Sequence, residues 1–324
     1  MKKILFLLWV SLGFSHEIPV DEINSIAIVK DEMYLATMYG IYKSKDRGKN
    51  WKNIGPYNTN IVCSNNGFIY AGCEDGLFIL RGEKLEHVLN QPFVSAVCFS
   101  EKTIVAGTWV GKVLINKDLK KWEEIMCLKS PITKIISLDK YFYLSSYNDG
   151  IYKSCDFGHT WEKLGFNGKK VWDILAEKTG LWVATENGLF WGTNTCWITL
   201  DKGLTTKKIR RIVRDKDILY LGTSIGGFFI SYDNGKSFCS ANIGLLNTNI
   251  MDIAIDPDDP KNIYIATKNG LYKTEDGGQL WKKLNNGLVY CGKPPPPKNP
   301  EDIRKRKAKE GIKSPPKESS HGGH

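Results

Sequence analysis

Residues Tyr264 to Trp281 read YIATKNGLYKTEDGGQLW, and residues Tyr34 to Trp51, near the other end of the chain, read YLATMYGIYKSKDRGKNW. Both stretches hold two short runs of β-branched and aromatic residues with a glycine between them. A polar turn then leads to a tryptophan. Runs of this composition, separated by turn residues, are typical of β-strands joined as hairpins. Each stretch therefore predicts a hairpin whose second strand turns into a further strand.

This hairpin pattern recurs along the whole chain, beginning at Tyr34, Tyr70, Val105, Tyr143, Trp182, Tyr220 and Tyr264. Its central glycines lie 35 to 43 residues apart and are Gly40, Gly76, Gly111, Gly150, Gly188, Gly227 and Gly270. The strands expected in the first repeat are Ile23 to Val29, Met33 to Thr37, Ile41 to Ser44 and Asn50 to Ile54. A period of about 38 residues with only strand signals predicts one four-stranded sheet per repeat. We expect an all-β protein, a seven-bladed β-propeller of four-stranded antiparallel blades over residues 16–292.

Four repeats carry a second motif at the turn between their third and fourth strands. An aspartate in such a turn can accept hydrogen bonds from backbone amides, a glycine supplies a positive φ, and a hydroxyl satisfies a neighbouring backbone group. We expect the aromatic residue that ends the motif to pack between blades. The four copies are Ser44, Asp46, Gly48 and Trp51; Ser154, Asp156, Gly158 and Trp161; Ser231, Asp233, Gly235 and Phe238; and Thr274, Asp276, Gly278 and Trp281.

This motif resembles the Asp-box, or BNR, repeat of sialidases, sortilin-type receptors, some endoglucanase propellers and the photosystem II assembly/stability factor family. The resemblance covers about residues 23–288. It implies a propeller fold and places the motif at the periphery, away from any functional site. Likeness to the photosystem assembly family further implies a protein-binding role, in which Arg210, Arg211 and Arg214 correspond loosely to that family's arginine-rich patch.

The innermost strands, aligned by pattern, place Ser25, Ala96, Lys134, Asp173, Arg211 and Asp252 at one equivalent position. Two interpretations follow. The four charged residues form a ring of ion pairs between blades near the channel mouth, or Asp173 and Asp252 act as an acid/base pair while Arg211 binds an anionic substrate. The second interpretation corresponds to a glycoside hydrolase acting on an envelope or extracellular glycan. A sialidase is disfavoured because the Arg-Ile-Pro motif is absent and three of the body's arginines crowd one strand.

A contact surface is expected where the loops between second and third strands meet the connections between blades. Tyr39, Tyr57, Phe93 and Trp109 would gather there over blades 1 to 3, with Lys134, Arg210 and Arg211 adding positive charge. Exposed aromatic residues commonly anchor protein partners, although these rings would alternatively plug the channel mouth. The favoured function is a non-enzymatic scaffold or assembly factor for an envelope or membrane complex.

The two ends differ from the body. Residues 1–15 combine a cationic head, a short apolar run and small residues, as in a secretory signal peptide, which predicts export to the periplasm or beyond the cell. Residues 293–324 are rich in proline and lysine and almost devoid of apolar side chains, so we expect a disordered tail. This tail contains nine Lys/Arg residues and four Asp/Glu residues, and so carries half of the chain's net charge of +10. Its positive charge could contact an anionic membrane surface.

The overall composition, 42% hydrophobic and 25% charged, excludes a disordered chain, a collagen and a multi-span membrane protein. The sequence lacks nucleotide-binding glycine loops and zinc-ligand motifs, so we expect no cofactor, no metal and no nucleic-acid partner, and a monomer. Eight cysteines in an exported protein are compatible with disulfides, whose pairing the sequence leaves open. Cys63 and Cys98 occupy equivalent innermost-strand positions and are interpreted as small core residues.

Overall fold

The computed structural model describes residues 17–20, 22–56, 58–117, 121–193, 196–284 and 288–291, with the backbone alone for strands Glu17–Pro19 and Val289–Cys291. The predicted signal peptide, the predicted tail and Tyr57 lie outside the described residues. Every regular element within them is a β-strand. Accordingly, no helix in these segments is long and apolar enough to cross a membrane.

Residues 20–288 form a seven-bladed propeller, which confirms the predicted fold. Each blade consists of four strands consecutive in sequence, paired antiparallel in chain order. Blades 1 and 2 contain β2 (Ile23–Val29), β3 (Glu32–Thr37), β4 (Gly40–Ser44), β5 (Lys52–Asn53), β6 (Thr59–Asn65), β7 (Phe68–Cys73), β8 (Gly76–Arg81) and β9 (Lys84–Leu89). Blades 3 and 4 contain β10 (Val94–Ser100), β11 (Thr103–Thr108), β12 (Lys112–Lys117), β13 (Lys121–Cys127), β14 (Ile132–Leu138), β15 (Tyr141–Ser146), β16 (Gly150–Ser154) and β17 (Glu162–Gly165).

The remaining blades follow the same order. Blade 5 contains β18 (Val171–Glu177), β19 (Gly180–Thr185), β20 (Gly188–Thr193) and β21 (Cys196–Thr199). Blades 6 and 7 contain β22 (Ile209–Asp215), β23 (Ile218–Thr223), β24 (Phe228–Ser231), β25 (Cys239–Ser240), β26 (Ile250–Ile255), β27 (Ile263–Thr267), β28 (Gly270–Thr274) and β29 (Lys282–Lys283). A separate unit holds the antiparallel pair β1 (Glu17–Pro19) and β30 (Val289–Cys291), in which Ile18 lies opposite Tyr290.

The hydrophobic core lies between the blades. The cluster between blades 3 and 4, for example, combines Val105 and Ile115 with Ile135 and Leu144, all of them buried. Corresponding clusters join consecutive blades from 1 and 2 through 6 and 7. A four-stranded sheet alone leaves both apolar faces in water, so each blade is stable only because its two neighbours cover them.

In blades 2, 3 and 4 the recurring glycine at the start of the third strand permits close approach of the backbone at or just beyond the fourth strand. Gly150 has a φ of 93°, and a Cβ at this position would lie 2.0 Å from the carbonyl oxygen of Gly165. A larger residue is therefore excluded both by its backbone conformation and by the neighbouring strand. All seven of these glycines have a positive φ, which explains why the glycine is the most regular mark of the repeat.

The fourth strand of blade 1 is shorter than the sequence pattern predicts. Asn50 belongs to the preceding turn, because its backbone N–H donates to Asp46 Oδ1 at 2.8 Å and its side chain donates to Oδ2 at 2.7 Å. The strand accordingly begins at Lys52. The turn motif takes precedence over the strand tendency of the residues that follow it.

Candidate binding face

Each innermost strand is irregular at the same place. The register shifts by one residue immediately after the first paired residue, as between Val171 and Asp173 in blade 5. Such a β-bulge inserts an unpaired residue and redirects its side chain. The seven bulged residues are Asn24, Asn60, Ser95, Thr133, Trp172, Arg210 and Met251. They lie where the chain enters the innermost strands, at the same end of the blades as the loops between second and third strands. We call this end the loop face.

In blades 1 to 3 the bulged side chains are short and bind the next blade. Asn24 Nδ2 donates to Thr59 O at 2.9 Å, Asn60 Nδ2 to Val94 O at 3.0 Å, and Ser95 Oγ to Ile132 O at 2.7 Å. Each acceptor is the first residue of the following innermost strand. The bulges of this half of the ring therefore connect neighbouring blades.

In blades 5 and 6 the bulged side chains are large and stack on one another. The Arg210 guanidinium lies 4.6 Å from the centroid of the Trp172 ring. Trp172 also makes a T-shaped contact with Tyr147 of blade 4, with ring centroids 4.8 Å apart. All three side chains are partly exposed. The Tyr147–Trp172–Arg210 stack thus presents two aromatic rings and a cation along three consecutive blades of the loop face.

A charged pair flanks this stack. Lys170 Nζ lies 2.6 Å from Glu186 Oε2, and it also lies 5.7 Å from the Tyr147 ring centroid. The hydrogen bond to Glu186, followed by one to Tyr147, raises the pKa of Lys170 above its ordinary value despite partial desolvation. The cation beside the stack is therefore retained well above neutral pH.

The position after each bulge carries the charged residues singled out by the sequence. Lys134 Nζ lies 3.7 Å from Asp173 Oδ1, and Arg211 Nε lies 3.3 Å from Asp252 Oδ1. Each aspartate also accepts two backbone hydrogen bonds. Asp173 accepts from Ile174 and, at 3.0 Å, from Ile212 of the next blade. Asp252 accepts from Ile253 and, at 2.9 Å, from Ile26 of blade 1.

A series of backbone hydrogen bonds joins the segments that link one blade to the next with the loops between second and third strands. Asn58 N donates to Met38 O, Glu74 N to Asn58 O, Phe93 N to Glu74 O, and Trp109 N to Phe93 O, all at 2.9 to 3.0 Å. These segments therefore share the loop face.

The predicted contact residues in blades 1 to 3 lie along this series. Trp109 is 40% exposed, while Tyr39 and Phe93 are half-buried. Phe93 has a φ of 63°, a conformation that is rare for an aromatic residue outside tight turns. The structure thus places Tyr39, Phe93 and Trp109 along one side of the loop face and Arg210 within the stack on blades 4 to 6, with Lys134 and Arg211 at the position that follows the bulges.

The serine, threonine and aspartate motifs lie at the opposite end of the third strands. Ser231 Oγ donates to Asp233 Oδ1 at 2.8 Å, while Gly235 N donates to Ser231 Oγ at 2.8 Å and Ser237 N to Asp233 Oδ1 at 2.9 Å. The hydrogen bonds of Ser237 lower the pKa of Asp233 to about 2. The same network forms around Asp46, Asp156 and Asp276. These aspartates are engaged in the turns.

The aromatic residues of the motif pack on the preceding blade. Phe238 joins Trp182 and Leu189 of blade 5, and Trp281 joins Phe228 and Ile230 of blade 6. Trp161 packs on the cluster that blades 3 and 4 share. In blade 1, Trp51 lies beside Gly48 of its own turn, and Leu284 of blade 7 also lies close to this glycine.

The cysteines show no pairing among the described side chains. Cys63, Cys73, Cys98, Cys127, Cys155, Cys196 and Cys239 all carry free thiols. Cys98 is buried and Cys63 half-buried at the core positions predicted for them. Burial raises the pKa of Cys63 and of Cys73 to about 12. Within the described segments, no three His, Cys, Asp or Glu side chains are grouped as a metal site would require.

Sequence reasoning missed Tyr147 and Trp172. A bulge changes which side chain of a strand points toward the neighbouring blade, and strand periodicity does not reveal such a change. The aligned innermost strands nevertheless contain a signal, because the residue before each equivalent charged position is the bulged one. Only contacts across three blades show that two of these residues stack.

No protein-family model matches the sequence, and no curated protein matches it either. Among solved structures, similar propellers include the extracellular domain of BT4673 from B. thetaiotaomicron, with a TM-score of 0.66, 15% identity and coverage of 80% of this chain. This chain spans only 39% of that BT4673 structure. The GH74 xyloglucanase from Xanthomonas campestris has a TM-score of 0.67 at 11% identity, covering 83% of this chain and 55% of the enzyme.

YCF48 is of similar length to this chain. The protein from Cyanidioschyzon merolae has a TM-score of 0.61 at 12% identity, covering 80% of this chain and 98% of YCF48. A structure of YCF48 bound to a D1 peptide has a TM-score of 0.50 at 15% identity, covering 82% and 83% of the respective chains. At these identities the likeness concerns the fold.

Proposed function

We propose that this chain is a non-enzymatic protein-binding propeller whose loop face holds a segment of a partner protein. The observation that carries the proposal is the Tyr147–Trp172–Arg210 stack, which spans three blades and is partly exposed. Tryptophan, tyrosine and arginine are the residues most enriched in the energetic centres of protein interfaces. The second, half-exposed group of Tyr39, Phe93 and Trp109 would extend the contact around the ring.

The charge on this face favours an acidic segment. Arg210 stacks on the tryptophan, and Lys134, which is 35% exposed, and Arg211 lie nearby, although each of these two already meets a carboxylate of the chain, Asp173 and Asp252 respectively. Lys170 pairs with Glu186, and that carboxylate neutralises its charge. A partner segment with carboxylates next to apolar residues would thus match both the rings and the cations.

Asp173 and Asp252 are proposed to act as structural acceptors. Each uses one carboxylate oxygen to accept a backbone N–H from the next blade and the other to meet a cation and its own neighbouring amide. A general acid or base must exchange a proton with a substrate, whereas both oxygens of each carboxylate already meet amide or cationic donors of the protein itself. This arrangement supports the scaffold interpretation over hydrolysis of a glycan.

The cellular setting is part of the same proposal. We infer export from the signal-like residues 1–15 and place the partner in an envelope or membrane complex, with the basic residues of 293–324 available for an anionic membrane surface. The similar BT4673 propeller is an extracellular domain. A similar structure is that of YCF48 bound to a D1 peptide. Both support the proposal as analogies of fold.

A photo-crosslinking experiment tests the function. A benzophenone amino acid replaces Trp172 or Trp109 on the loop face, and a matched control replaces Tyr232, which is 67% exposed at the opposite end of the blades. We expect one protein to crosslink from both loop-face positions and not from Tyr232. The crosslinked partner, once purified, should bind the Arg210→Ala variant about tenfold more weakly than it binds the unchanged chain.

Two results would overturn the proposal. One is a partner that crosslinks equally from all three positions. The other is hydrolysis of fluorogenic glycosides by the purified protein that is abolished by Asp173→Asn or Asp252→Asn while the variants remain folded, since this would assign the molecule to the glycosidases.

A further inference from the structure

The outer parts of the blade interfaces are filled by aromatic side chains. Each of these residues lies at or near the start of a fourth strand and packs on the preceding blade. They are Trp122, Trp161, Trp197, Phe238 and Trp281. Two of the indole groups also donate hydrogen bonds at 2.8 Å, from Trp122 to Val88 O and from Trp281 to Ala241 O. These aromatic residues close the outer edge of each of the five successive interfaces, from that between blades 2 and 3 to that between blades 6 and 7.

Blade 2 lacks this aromatic residue. Leu85, the second residue of its fourth strand, occupies the position that Trp122 and Trp197 hold in blades 3 and 5. The β8–β9 turn consists of Gly82 and Glu83 alone. A Cβ placed on Gly158, Gly235 or Gly278 would come within 3.3, 2.4 or 2.9 Å of a side chain of the preceding blade, whereas nothing lies within 4 Å of one on Gly82. The blade 2 turn therefore leaves the adjacent outer part of blade 1 uncovered, while Leu80 and Leu85 pack on the core between the two blades.

Two adjoining cavities occupy the uncovered space, with volumes of about 350 and 380 Å³. Both are lined by Lys43, Lys45, Leu80, Gly82 and Glu83. One continues toward Ile54 and Trp51, and the other toward Tyr34 and Phe68. Together they form a groove, which we call the blade 1–2 slot. The cavity beside Ile54 and Leu80 is mainly apolar, the other is mainly polar, and lysine side chains line both. The size of the slot falls within the range of cavities that bind ligands.

The charged side chains of the slot differ in exposure and in whether they are paired. Lys43 is largely buried and pairs with Glu32 at 2.7 Å. Lys45 is 66% exposed and lies 3.6 Å from the equally exposed Glu83, so this contact is weak in water. Lys52 is exposed, while the Asp46 carboxylate is used by the amides of its own turn. Two exposed lysines, Lys45 and Lys52, thus border the slot, while Glu32 and Asp46 are engaged within the chain and Glu83 is exposed.

We propose that the blade 1–2 slot binds an aromatic side chain of an acidic segment from a partner protein, which takes the place that a tryptophan of the chain itself fills at the other interfaces. The ring would lie on Leu80 and Ile54, and carboxylates beside it in the partner sequence would meet Lys45 and Lys52. Aromatic anchors in preformed apolar pockets are a common source of binding energy in protein complexes. This site lies between the outer strands and is distinct from the loop face.

The test uses two synthetic peptides with the sequences Glu-Asp-Trp-Asp-Glu and Lys-Lys-Trp-Lys-Lys, each carrying 5-fluorotryptophan and observed by ¹⁹F NMR during titration with the full chain. We expect the acidic peptide to bind and the basic one not to bind. Leu85→Trp fills the slot from within and should weaken binding at least about tenfold. Ile198→Trp, which adds a tryptophan to the fourth strand of blade 5 where the side chain is already exposed, should leave binding unchanged.

A charge-reversed variant separates binding from folding. Lys45→Glu with Lys52→Glu changes only exposed side chains and should weaken the acidic peptide by about tenfold, whereas Lys49→Glu, on the same turn but outside the slot lining, should not. Three results would each overturn the proposal. They are no binding of the acidic peptide at about 2 mM, equal binding of the two peptides, and undiminished binding of the acidic peptide to both the Leu85→Trp variant and the double variant. A dimer in sedimentation that Leu85→Trp dissolves would assign the slot to a second copy of this chain instead.

Discussion

Asp252 Oδ2 lies 2.9 Å from the backbone nitrogen of Ile26 and thereby joins the last blade to the first. The two residues are 226 positions apart in sequence. Because each blade is built from consecutive strands, no strand is shared across this junction. Closure of the ring therefore depends on noncovalent contacts between blades 7 and 1, of which this charged hydrogen bond is one.

Removing the Asp252 carboxylate should weaken the propeller. Asp252→Ala leaves the Ile26 N–H and the Arg211 side chain without their acceptor, which costs about 2 kcal/mol of unfolding free energy. Urea unfolding followed by circular dichroism measures this loss. Asp217→Ala, at an exposed turn, is the matched control and should change stability little. Equal stability of the Asp252 and Asp217 variants would rule out a structural role for the carboxylate.

A second contact at the same junction is an ion pair. Arg47 Nη1 lies 3.0 Å from Asp256 Oδ2, and Asp256 is only 2% exposed. Arg47→Met leaves this carboxylate buried without its cation, for which we expect a loss of about 3 kcal/mol. Arg81→Met, which breaks the exposed pair with Glu86, should cost less than about 1 kcal/mol. Similar losses in the two variants would contradict the assigned importance of Asp256.

The turn aspartates make stability sensitive to acid. Hydrogen bonds from Asn50 and Ser237 lower the pKa values of Asp46 and Asp233 from 3.8 to about 2. A carboxylate whose folded pKa is depressed contributes stability that is complete above its unfolded pKa and is lost as pH falls through the folded value. The melting temperature should therefore fall between about pH 4 and pH 2. Asp46→Asn with Asp233→Asn should flatten this part of the profile, and an unchanged slope would contradict the argument.

The thiols should divide into two reactivity classes. Cys127, Cys155, Cys196 and Cys239 are exposed, whereas Cys73 and Cys98 are buried, with pKa values raised chiefly by desolvation. Since the thiolate is the reactive species, N-ethylmaleimide at pH 7 should modify the four exposed cysteines first. Peptide mass spectrometry over time reports the order. Early modification of Cys73 in folded protein would show that its strand opens readily.

The glycine at the start of a third strand should resist substitution. Gly150→Ala introduces a Cβ 2.0 Å from Gly165 O at a φ of 93°, so we expect a loss of about 3 kcal/mol or more. Gly168→Ala also has a positive φ, 67°, but meets nothing within 4 Å and should cost only about 1 kcal/mol. Comparison of the two by thermal unfolding separates contact from backbone strain. Equal costs would mean that the third and fourth strands separate easily.

The repeat pattern was sufficient to predict seven blades and, in blade 1, the limits of the innermost strand, Ile23–Val29. The predicted second, third and fourth strands of blade 1 differ from the observed ones mainly at their ends, where Asp46 draws Asn50 into its turn. The equivalent innermost positions were also correctly aligned, since Lys134, Asp173, Arg211 and Asp252 all follow the bulge. The residue preceding each of them was overlooked because a bulge has no periodic signature.

By itself, the sequence determined the local order of this protein: short strands, glycines at close approaches, and turns that use their own aspartates. These features depend on neighbours within one repeat, and seven similar repeats impose seven similar sheets. The contacts of Trp172 with Tyr147 and Arg210, the hydrogen bond between Asp252 and Ile26, and the slot lined by Leu80 were decided only by the tertiary structure. Each depends on how side chains of different blades meet, which is governed by packing around the ring and by the redirection of single residues at bulges.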